Sequence, residues 1–475
     1  MQSKDDTRFY VDGAWLDRPE APRIAVTNPA TEEVIGHIAA GSPADVDLAV
    51  AAARRAFASF SQTSVADRLT LLERIRDLLE ERSEQFAQAI VAEMGAAISF
   101  ARAGQCHFGI EHVRAAIDVL RDFAFETQVN GIHVRKEPIG VVAALTPWNW
   151  PLYQITAKVA PAIAAGCTVV LKPSELSPFT ALLFAQAMHD AGTPPGVFNL
   201  VNGTGEVVGN AMSSHPDVDM VSFTGSTRAG VLVAQNAAPT IKRVVQELGG
   251  KSPNVFLPDA DFAGGVPKGV LGAMRNVGQS CAAPTRMVVP RARLAEVEAL
   301  AREAAEGIKV GDPNDESCFI GTLANRPQFE KVQALIQAGI DEGAKLVAGG
   351  PGRPNGMNRG FFARPTVFSD VTPEMRIAQE EIFGPVLVIQ PYEDEEDAIR
   401  IANATVYGLS SHVQSADQEA ARRVARRIRA GQVHINFPAW SGYAPFGGYR
   451  QSGNGREYGV FGLEEYLEVK AILGY

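Results

Sequence analysis

A thiol able to attack a carbonyl needs small neighbours, a loop position, a way to lose its proton and a donor for the oxyanion that forms. The stretch Arg275–Arg286, RNVGQSCAAPTR, meets the first two conditions. Gly278, Ser280, Ala282 and Ala283 surround Cys281, so the backbone can come close to a ligand. The cysteine follows a helical pattern and precedes a strand pattern, a loop position of the kind that carries catalytic groups. The alternative is a packed core thiol, since cysteine is among the most buried residue types.

Further candidates lie upstream and downstream. In LTPWNWP, Leu145–Pro151, Asn149 stands between two tryptophans and close to a proline, at the carboxyl end of a strand pattern. Ligands of open α/β sheets bind at that end, so Asn149 reads as a fixed oxyanion donor or as a turn asparagine. KPSE, Lys172–Glu175, again follows a strand, and its lysine and carboxylate suit ribose hydroxyls or the capping of the next helix. In FTGSTRAG, Phe223–Gly230, a strand runs into Gly225 and Ser226 where a helix begins, which makes a phosphate site. It is not GxGxxG, and GTGEVVG at Gly203–Gly209 has the wrong spacing for that fingerprint. Glu247 ends the apolar run IKRVVQEL before Gly249 and Gly250, and a carboxylate there reads as a general base or as a salt-bridge partner at a hinge. QEEIFGPV, Gln379–Val386, sets Glu381 beside Phe383 and a Gly-Pro turn.

Elements must hold these groups in place. From about Gly140 the chain alternates short apolar runs (GVVAALTP, CTVVLKP, GVFNLV, VDMVSFTG, IKRVVQEL) with helical patterns that start near Pro151 and Ser177. That alternation predicts a parallel sheet covered on both faces. Two long helices are expected before it, over Ala44–Phe60 and Ala66–Met94. A second alternating section begins at PNVFLP, Pro253–Pro258, and continues through a helix over Phe262–Gln279, the strand RMVVP and a helix over Leu294–Gly307. FETQVNGIHVRKEP, Phe125–Pro138, is a hairpin around Asn130-Gly131, and YLEVKAILGY, Tyr466–Tyr475, is a terminal strand. Both have edges that need partners, which predicts a homo-oligomer, dimer or tetramer. The fold class is therefore α/β, with two doubly wound parallel-sheet domains and a small β flap. The division is 1–119 with 138–248 for one domain, 249–445 for the other, and 120–137 with 455–475 for the flap.

Composition excludes several functions. A chain of 475 residues exceeds one hydrophobic core, and 46% hydrophobic with 21% charged residues is an ordinary globular balance. The net charge of -10 argues against nucleic acid as a partner. No run approaches the ~18 apolar residues that span a membrane, and MQSKDDTRFYVDG lacks the apolar core of a signal peptide. Cys106, Cys167, Cys281 and Cys318 are widely spaced and the histidines form no HExxH pattern, so no metal is expected and a cytoplasmic location is.

The order of the motifs adds a resemblance. WN, KPSE, FTGSTRAG, ELGGK, GQSC, EEIFGP and PFGGYRQSGNGRE follow one another from Trp148 to Glu457, and the series resembles the aldehyde dehydrogenase superfamily over essentially the whole chain. The resemblance implies that Cys281 is the nucleophile that forms a thiohemiacetal and then a thioester. It implies that Asn149 and the Cys281 N–H hold the oxyanion, and that Glu247 activates the water of deacylation. It assigns Lys172 and Glu175 to the adenosine ribose, Ser226 to the pyrophosphate and Glu381 with Phe383 to the nicotinamide ribose. Thr146, Trp148, Ser174, Gly205 and Gly225 complete the cofactor contacts it implies. It also implies a cofactor domain, a catalytic domain and an oligomerisation flap.

Two choices follow from residue chemistry. Glu175 can accept from both ribose hydroxyls but would repel a 2′-phosphate, which favours NAD over NADP. Glu247 favours hydrolysis over transfer to coenzyme A by the same resemblance, since acylating relatives typically lack that carboxylate. Gln246, where the family usually has an apolar residue, and Trp150, where Phe or Tyr is more frequent, depart from its pattern without touching a catalytic role. Trp150, Tyr153, Trp440, Tyr443 and Phe446 read as lining for a hydrophobic aldehyde (aliphatic, aromatic or terpenoid), or else as core or interface packing. The rivals are a coenzyme A-acylating semialdehyde dehydrogenase and a catalytically silent relative.

Overall fold

Four five-residue runs, VVAAL, TVVLK, MVSFT and RMVVP, are buried at every position, as strands must be when helices cover both faces of their sheet. The computed structural model, which describes residues 5–475, shows each of them as a strand. Val141–Leu145, Thr168–Lys172 and Met220–Thr224 belong to an eight-stranded sheet, flanked by Arg243–Glu247 on one side and Phe198–Leu200 on the other. Taken in chain order these five parallel strands lie 3-2-1-4-5, the order reversing between Val141–Leu145 and Met220–Thr224. That reversal opens a crevice at the carboxyl edge. The register brings Leu145 level with Lys172 and Phe223, and Thr224 level with Glu247, so four strands end together at that edge. Antiparallel strands Arg8–Val11, Ala14–Asp17 and Gly453–Asn454 close the two sides.

Arg286–Pro290 belongs to a second, seven-stranded sheet, parallel apart from Lys345–Ala348 at one edge. Each sheet separates two apolar clusters. Val142, Ala144, Val169 and Leu171 pack on one face of the first, and Val141, Ala143 and Val170 on the other. Val289 and Met287 are divided from Val288 in the same way. Arg286 ties the second sheet to the junction of the two. Its buried guanidinium donates to the carbonyls of Lys251 (2.7 Å), Ile401 (2.8 Å) and Ala402 (2.7 Å).

The predicted hairpin forms around Asn130 and Gly131, whose φ values of 50° and 79° suit a type I′ turn. The terminal strand Leu467–Ile472 pairs along it from Pro138 to His133. One half of the flap edge is thus covered from within the chain. The hairpin Arg23–Asn28 with Glu33–Ala39 forms a fourth, small sheet.

Two helices differ from expectation. Ala66–Met94 is broken at Arg82 into Val65–Glu81 and Ser83–Met94, with Arg82 paired to Asp190 at 2.6 Å. Phe262–Gln279 ends at Met274, because Asn276, Val277 and Gly278 take left-handed φ values of 55°, 58° and 69°. A valine there costs about 1–2 kcal/mol. Gly278 has no such freedom to change, since a Cβ on it would lie 2.0 Å from the Gly384 carbonyl oxygen.

Candidate active site

The left-handed turn carries the chain from the second sheet to the carboxyl edge of the first. It is held by side chains that also fix Asn149. Asn276 Nδ2 donates to the Asn149 carbonyl at 2.9 Å and Gln105 Nε2 donates to the same oxygen at 3.3 Å. Asn149 is buried, and its Nδ2 donates one hydrogen to the Gln279 carbonyl at 3.0 Å. The second amide hydrogen has no partner among the described residues, so it is available to a ligand.

A cavity of ≈ 200 Å³ lies in the crevice. Asn149, Glu247 and Cys281 all line it, as do Trp148, Gly225, Ser226, Glu381 and Phe383. Glu247, 2% exposed, has no hydrogen-bond partner for either carboxylate oxygen among the described residues. Burial, followed by the charge of Glu457, raises its carboxyl well above the ordinary range; Lys158 and Arg456 oppose that rise. Lys158 and Glu457 form a buried ion pair at 2.5 Å behind it. Gly447 leaves room beside this carboxylate, since a Cβ there would stand 2.7 Å from Oε1. Cys281 is half-buried, and burial pushes its thiol up, helped by Glu381 and Glu247. In the free protein it is therefore a thiol at neutral pH, and a base must take its proton.

Glu381 Oε1 accepts from the Gly250 N–H at 3.0 Å, and burial raises its carboxyl. Gly249 leaves space for it, for a Cβ there would come within 2.5 Å of Oε2. Lys331 Nζ donates to the Glu381 carbonyl at 2.8 Å, and Gln328 donates to the carbonyls of Ile382 and Phe383. Phe383, at φ 59°, meets Trp148 edge to face at 5.5 Å.

Ser226 caps the helix Thr227–Ala237, its Oγ accepting from Ala229 N at 3.3 Å. The first N–H groups of that helix are presented beside the cavity. Lys172 Nζ donates to the Pro173 carbonyl (2.8 Å) and to Glu175 (3.2 Å), while Ser174 Oγ accepts from Leu176 N. Neither Lys172 nor Glu175 caps the following helix, Pro178–Asp190, which corrects the capping alternative. These three residues and Thr146 stand on the same carboxyl edge, with Thr146 N donating to the Lys172 carbonyl, but they lie outside the cavity lining. Gly205, exposed at the start of a one-turn segment, is outside it too.

Three of the aromatic candidates, Trp150, Tyr153 and Phe446, stand beside the thiol. Cys281 and Ala282 pack against Ala157, Leu409, Phe446 and Tyr458, together with Tyr153. Tyr153 and Tyr458 share a hydroxyl–hydroxyl hydrogen bond of 2.5 Å, and Phe446 stacks on Tyr458 at 5.1 Å. Trp150 Nε1 donates to Ser280 Oγ at 2.9 Å, beside Cys281. Trp440 packs on Phe108 at 4.7 Å and on His112 at 5.4 Å. Tyr443 is exposed and donates to Asp118, away from the group.

Sequence reasoning missed Gln105, Asn276, Lys158, Glu457, His112 and Tyr458. Only Glu457 and Asn276 fall within stretches the motifs marked; Gln105 and Lys158 sit in helical runs with no local signal.

The model of the aldehyde dehydrogenase family matches residues 15–472. The chain belongs to the aldehyde dehydrogenase family. It is 54% identical over 474 residues to a 3-succinoylsemialdehyde-pyridine dehydrogenase of a Pseudomonas species, covering 99% of each chain. Among solved structures it is similar to aldehyde dehydrogenase C of Pseudomonas syringae, a cysteine-to-alanine mutant complexed with NAD+ and octanal. That match has 64% identity, a TM-score of 0.98 and coverage of 100% of this chain and 98% of that one. An aldehyde dehydrogenase of Bartonella henselae matches with 45% identity, a TM-score of 0.97 and 99% coverage of both. For this aldehyde dehydrogenase, no group of three or more His, Cys, Asp or Glu is placed to hold a metal ion among the described residues. No helix among them is long and apolar enough to cross a membrane.

Proposed function

We propose that this enzyme oxidises a hydrophobic aldehyde to the carboxylic acid, with NAD as hydride acceptor and Cys281 as nucleophile. The observation that carries the reading is Glu247. It is a buried carboxylate without a hydrogen-bond partner among the described residues, on the cavity that Cys281 and Asn149 also line. Such a group is expensive unless it has a task.

Cys281 gives its proton to Glu247 as Sγ bonds to the aldehyde carbon, and the carbonyl oxygen becomes an oxyanion. The free Asn149 amide hydrogen and the Cys281 backbone N–H are its donors. Loss of hydride from that tetrahedral carbon leaves a thioester, and what bound NAD supplies is acceptance of the hydride at the nicotinamide. Glu247, its proton passed to solvent, takes one from a water that attacks the thioester carbon. The C–S bond breaks, the acid leaves, and Glu247 returns its proton to the departing Sγ, which restores the Cys281 thiol.

The residues present fit the cofactor. Glu381 is aimed by the Gly250 N–H toward a space that Gly249 keeps open. The helix start at Ser226 suits the pyrophosphate, and Gly225 lines the same cavity. Trp148 and Phe383 line the cavity at the nicotinamide ribose, and Thr146, Lys172, Ser174, Glu175 and Gly205 extend along the same edge toward the adenosine. The NAD+ in the Pseudomonas syringae complex supports this choice, and its octanal supports an apolar substrate met by Trp150, Tyr153, Trp440 and Phe446. Residues 1–119 with 138–248 form the dinucleotide-binding unit in this reading, and 249–445 the catalytic one. The flap, 120–137 with 455–475, pairs with another copy. Exposed Val469, Leu473 and Tyr475 support that pairing. The free cysteines support a reducing, cytoplasmic setting.

Mixing the enzyme with NAD and a panel of aldehydes, without coenzyme A, should raise NADH absorbance, most with apolar aldehydes. A folded, NAD-binding protein that yields no NADH from any aldehyde would sink the proposal, and a strict need for coenzyme A would replace hydrolysis by acylation. Replacing the ribose carboxylate gives a second expected result. Glu175→Gln should raise the NADP-to-NAD ratio of kcat/KM by about 10-fold or more, since a charged repulsion is removed. An unchanged ratio would take Glu175 off the adenosine ribose.

A further inference from the structure

The helix that precedes the flap hairpin is irregular where it passes Asn149. Between Ile98–Phe100 and His107–Asp122, the six residues Ala101–Cys106 form a π-helical turn, in which the His107 N–H reaches the Arg102 carbonyl five residues back. Such turns are rare and occur frequently at functional sites. Five positions along an α-helix diverge by about 140°, at about 100° per residue. The i→i+5 pattern of a π turn brings them toward one face. Phe100 and Gln105 are five apart, and they touch Trp150 and Asn149 respectively. Phe100 meets Trp150 edge to face at 5.2 Å. Gly104 admits that phenyl ring, since a Cβ there would stand 2.3 Å from Phe100 Cε2.

Gln105 is fully buried. Its Nε2 donates to Asn276 Oδ1 at 3.0 Å and to the Asn149 carbonyl at 3.3 Å, with Met94 Sδ at 3.4 Å. Asn276 Oδ1 has no other donor among the described residues, so this bond decides which way round the Asn276 amide sits. With Oδ1 turned to Gln105, Nδ2 donates to the carbonyls of Asn149 (2.9 Å) and Gln279 (3.2 Å). Turned the other way, Oδ1 would face two carbonyl oxygens. The Gln279 carbonyl is also the acceptor that fixes the Asn149 side chain, at 3.0 Å. Gln105 Oε1, by contrast, is buried without a donor among the described residues. An apolar side chain would fill the same space without that cost, so Gln105 acts here through its amide hydrogens.

We propose that Gln105 is a positioning residue for the oxyanion donor. It locks the Asn276 amide in the orientation that aims the free amide hydrogen of Asn149 at the oxygen of the carbon bonded to Cys281 Sγ. The proposal rests on the reading of Asn149 as that donor. An oxyanion forms when the thiol attacks and again when water attacks the thioester, so lost aim should lower kcat and leave KM nearly unchanged.

The test is a double-mutant cycle that reads kcat from NADH in Gln105→Met, Asn149→Ala and the two combined. Gln105→Met keeps the side-chain length and removes both amide hydrogens. It should lower kcat about 10-fold, less than the about 10²–10³-fold lost with the donor itself in Asn149→Ala. In the Asn149→Ala background, the same substitution should change kcat by less than about 2-fold, because no donor remains to be aimed. A residue that only supports the fold would lower kcat by one factor in both backgrounds. That result overturns the proposal, and so does a Gln105→Met enzyme with wild-type kcat. Gln105→Glu repeats the cycle where the Met variant does not fold. A buried carboxyl stays neutral and keeps one of the two donors, so kcat should fall only where Asn149 is present. Equal falls in both backgrounds overturn the proposal here too. Wild-type kcat in Asn149→Ala alone would instead remove the oxyanion reading itself, and the proposal with it.

Discussion

Cys281→Ala should abolish NADH formation from every aldehyde, a loss of about 10³-fold or more if the thiol is the nucleophile. NAD binding should persist, because the cofactor contacts proposed here lie on Glu381, Ser226 and the edge beyond them. Trp148 lines the same cavity, so quenching of tryptophan fluorescence provides the binding readout. Residual turnover near the wild-type rate would remove Cys281 from the chemistry. Joint loss of turnover and NAD binding would mean that the loop itself had moved.

The same residue carries a pH signature. Burial, and the carboxylates of Glu381 and Glu247, hold the thiol above its ordinary range, so little thiolate exists at neutral pH in the free enzyme. Since the thiolate is the reactive form, alkylation by iodoacetamide without substrate should be slow near neutrality and rise with pH well past about 8.5. A plateau at lower pH would show a thiolate already formed and would transfer the activating role from Glu247 to some other group.

Why Cys281, Asn149 and Glu247 were legible in the sequence, and Gln105, Asn276 and Lys158 were not, follows from where each sits. Asn149 and Glu247 come at the end of apolar strands, and strand ends at a parallel sheet's carboxyl edge are where ligands bind. Apolar runs mark those ends locally. The hairpin at Asn130-Gly131 was legible for a similar reason, because a type I′ turn needs two left-handed residues and few pairs supply them. The end of the helix at Met274 was not. Its apolar spacing continues to Val277, and what turns the chain there is a set of contacts to Gln105 and Asn149, remote in sequence. Arg82 broke a helix whose periodicity ran through it, with a partner, Asp190, that no local pattern names. Lys158 and Glu457 are 299 positions apart, and only the fold makes them a pair. The roles of the aromatics stayed open because core and ligand-lining positions share one composition.

Glu247→Gln should separate the two halves of the reaction. Gln can accept neither the thiol's proton nor that of the attacking water, so both halves should slow, and whatever thioester does form should persist and appear in mass spectrometry as the acyl group added to the protein. Steady-state NADH formation should fall about 10²–10⁴-fold, the range general-base catalysis supplies. A fast first turnover before that slow phase would show that the thiol can pass its proton elsewhere, and its absence would show that Glu247 serves both steps. In the wild-type enzyme, the raised carboxyl means that deacylation should increase with pH, reaching its maximum only above the ordinary carboxylate range. The groups behind Glu247 set how far above. Burial raises it most, the charge of Glu457 raises it further, and Lys158 lowers it. Glu457→Gln should therefore move the pH profile to lower pH, and Lys158→Met should move it to higher pH. Each leaves a buried partner unpaired, so thermal unfolding will register a loss of about 3–5 kcal/mol, but a purely structural role would not send the two profiles in opposite directions. Profiles that move together, or a Glu247→Gln enzyme that hydrolyses its thioester at the wild-type rate, would require another base on the cavity. Glu381 is the only other carboxylate lining it among the described residues, and its Oε1 is engaged by the Gly250 N–H.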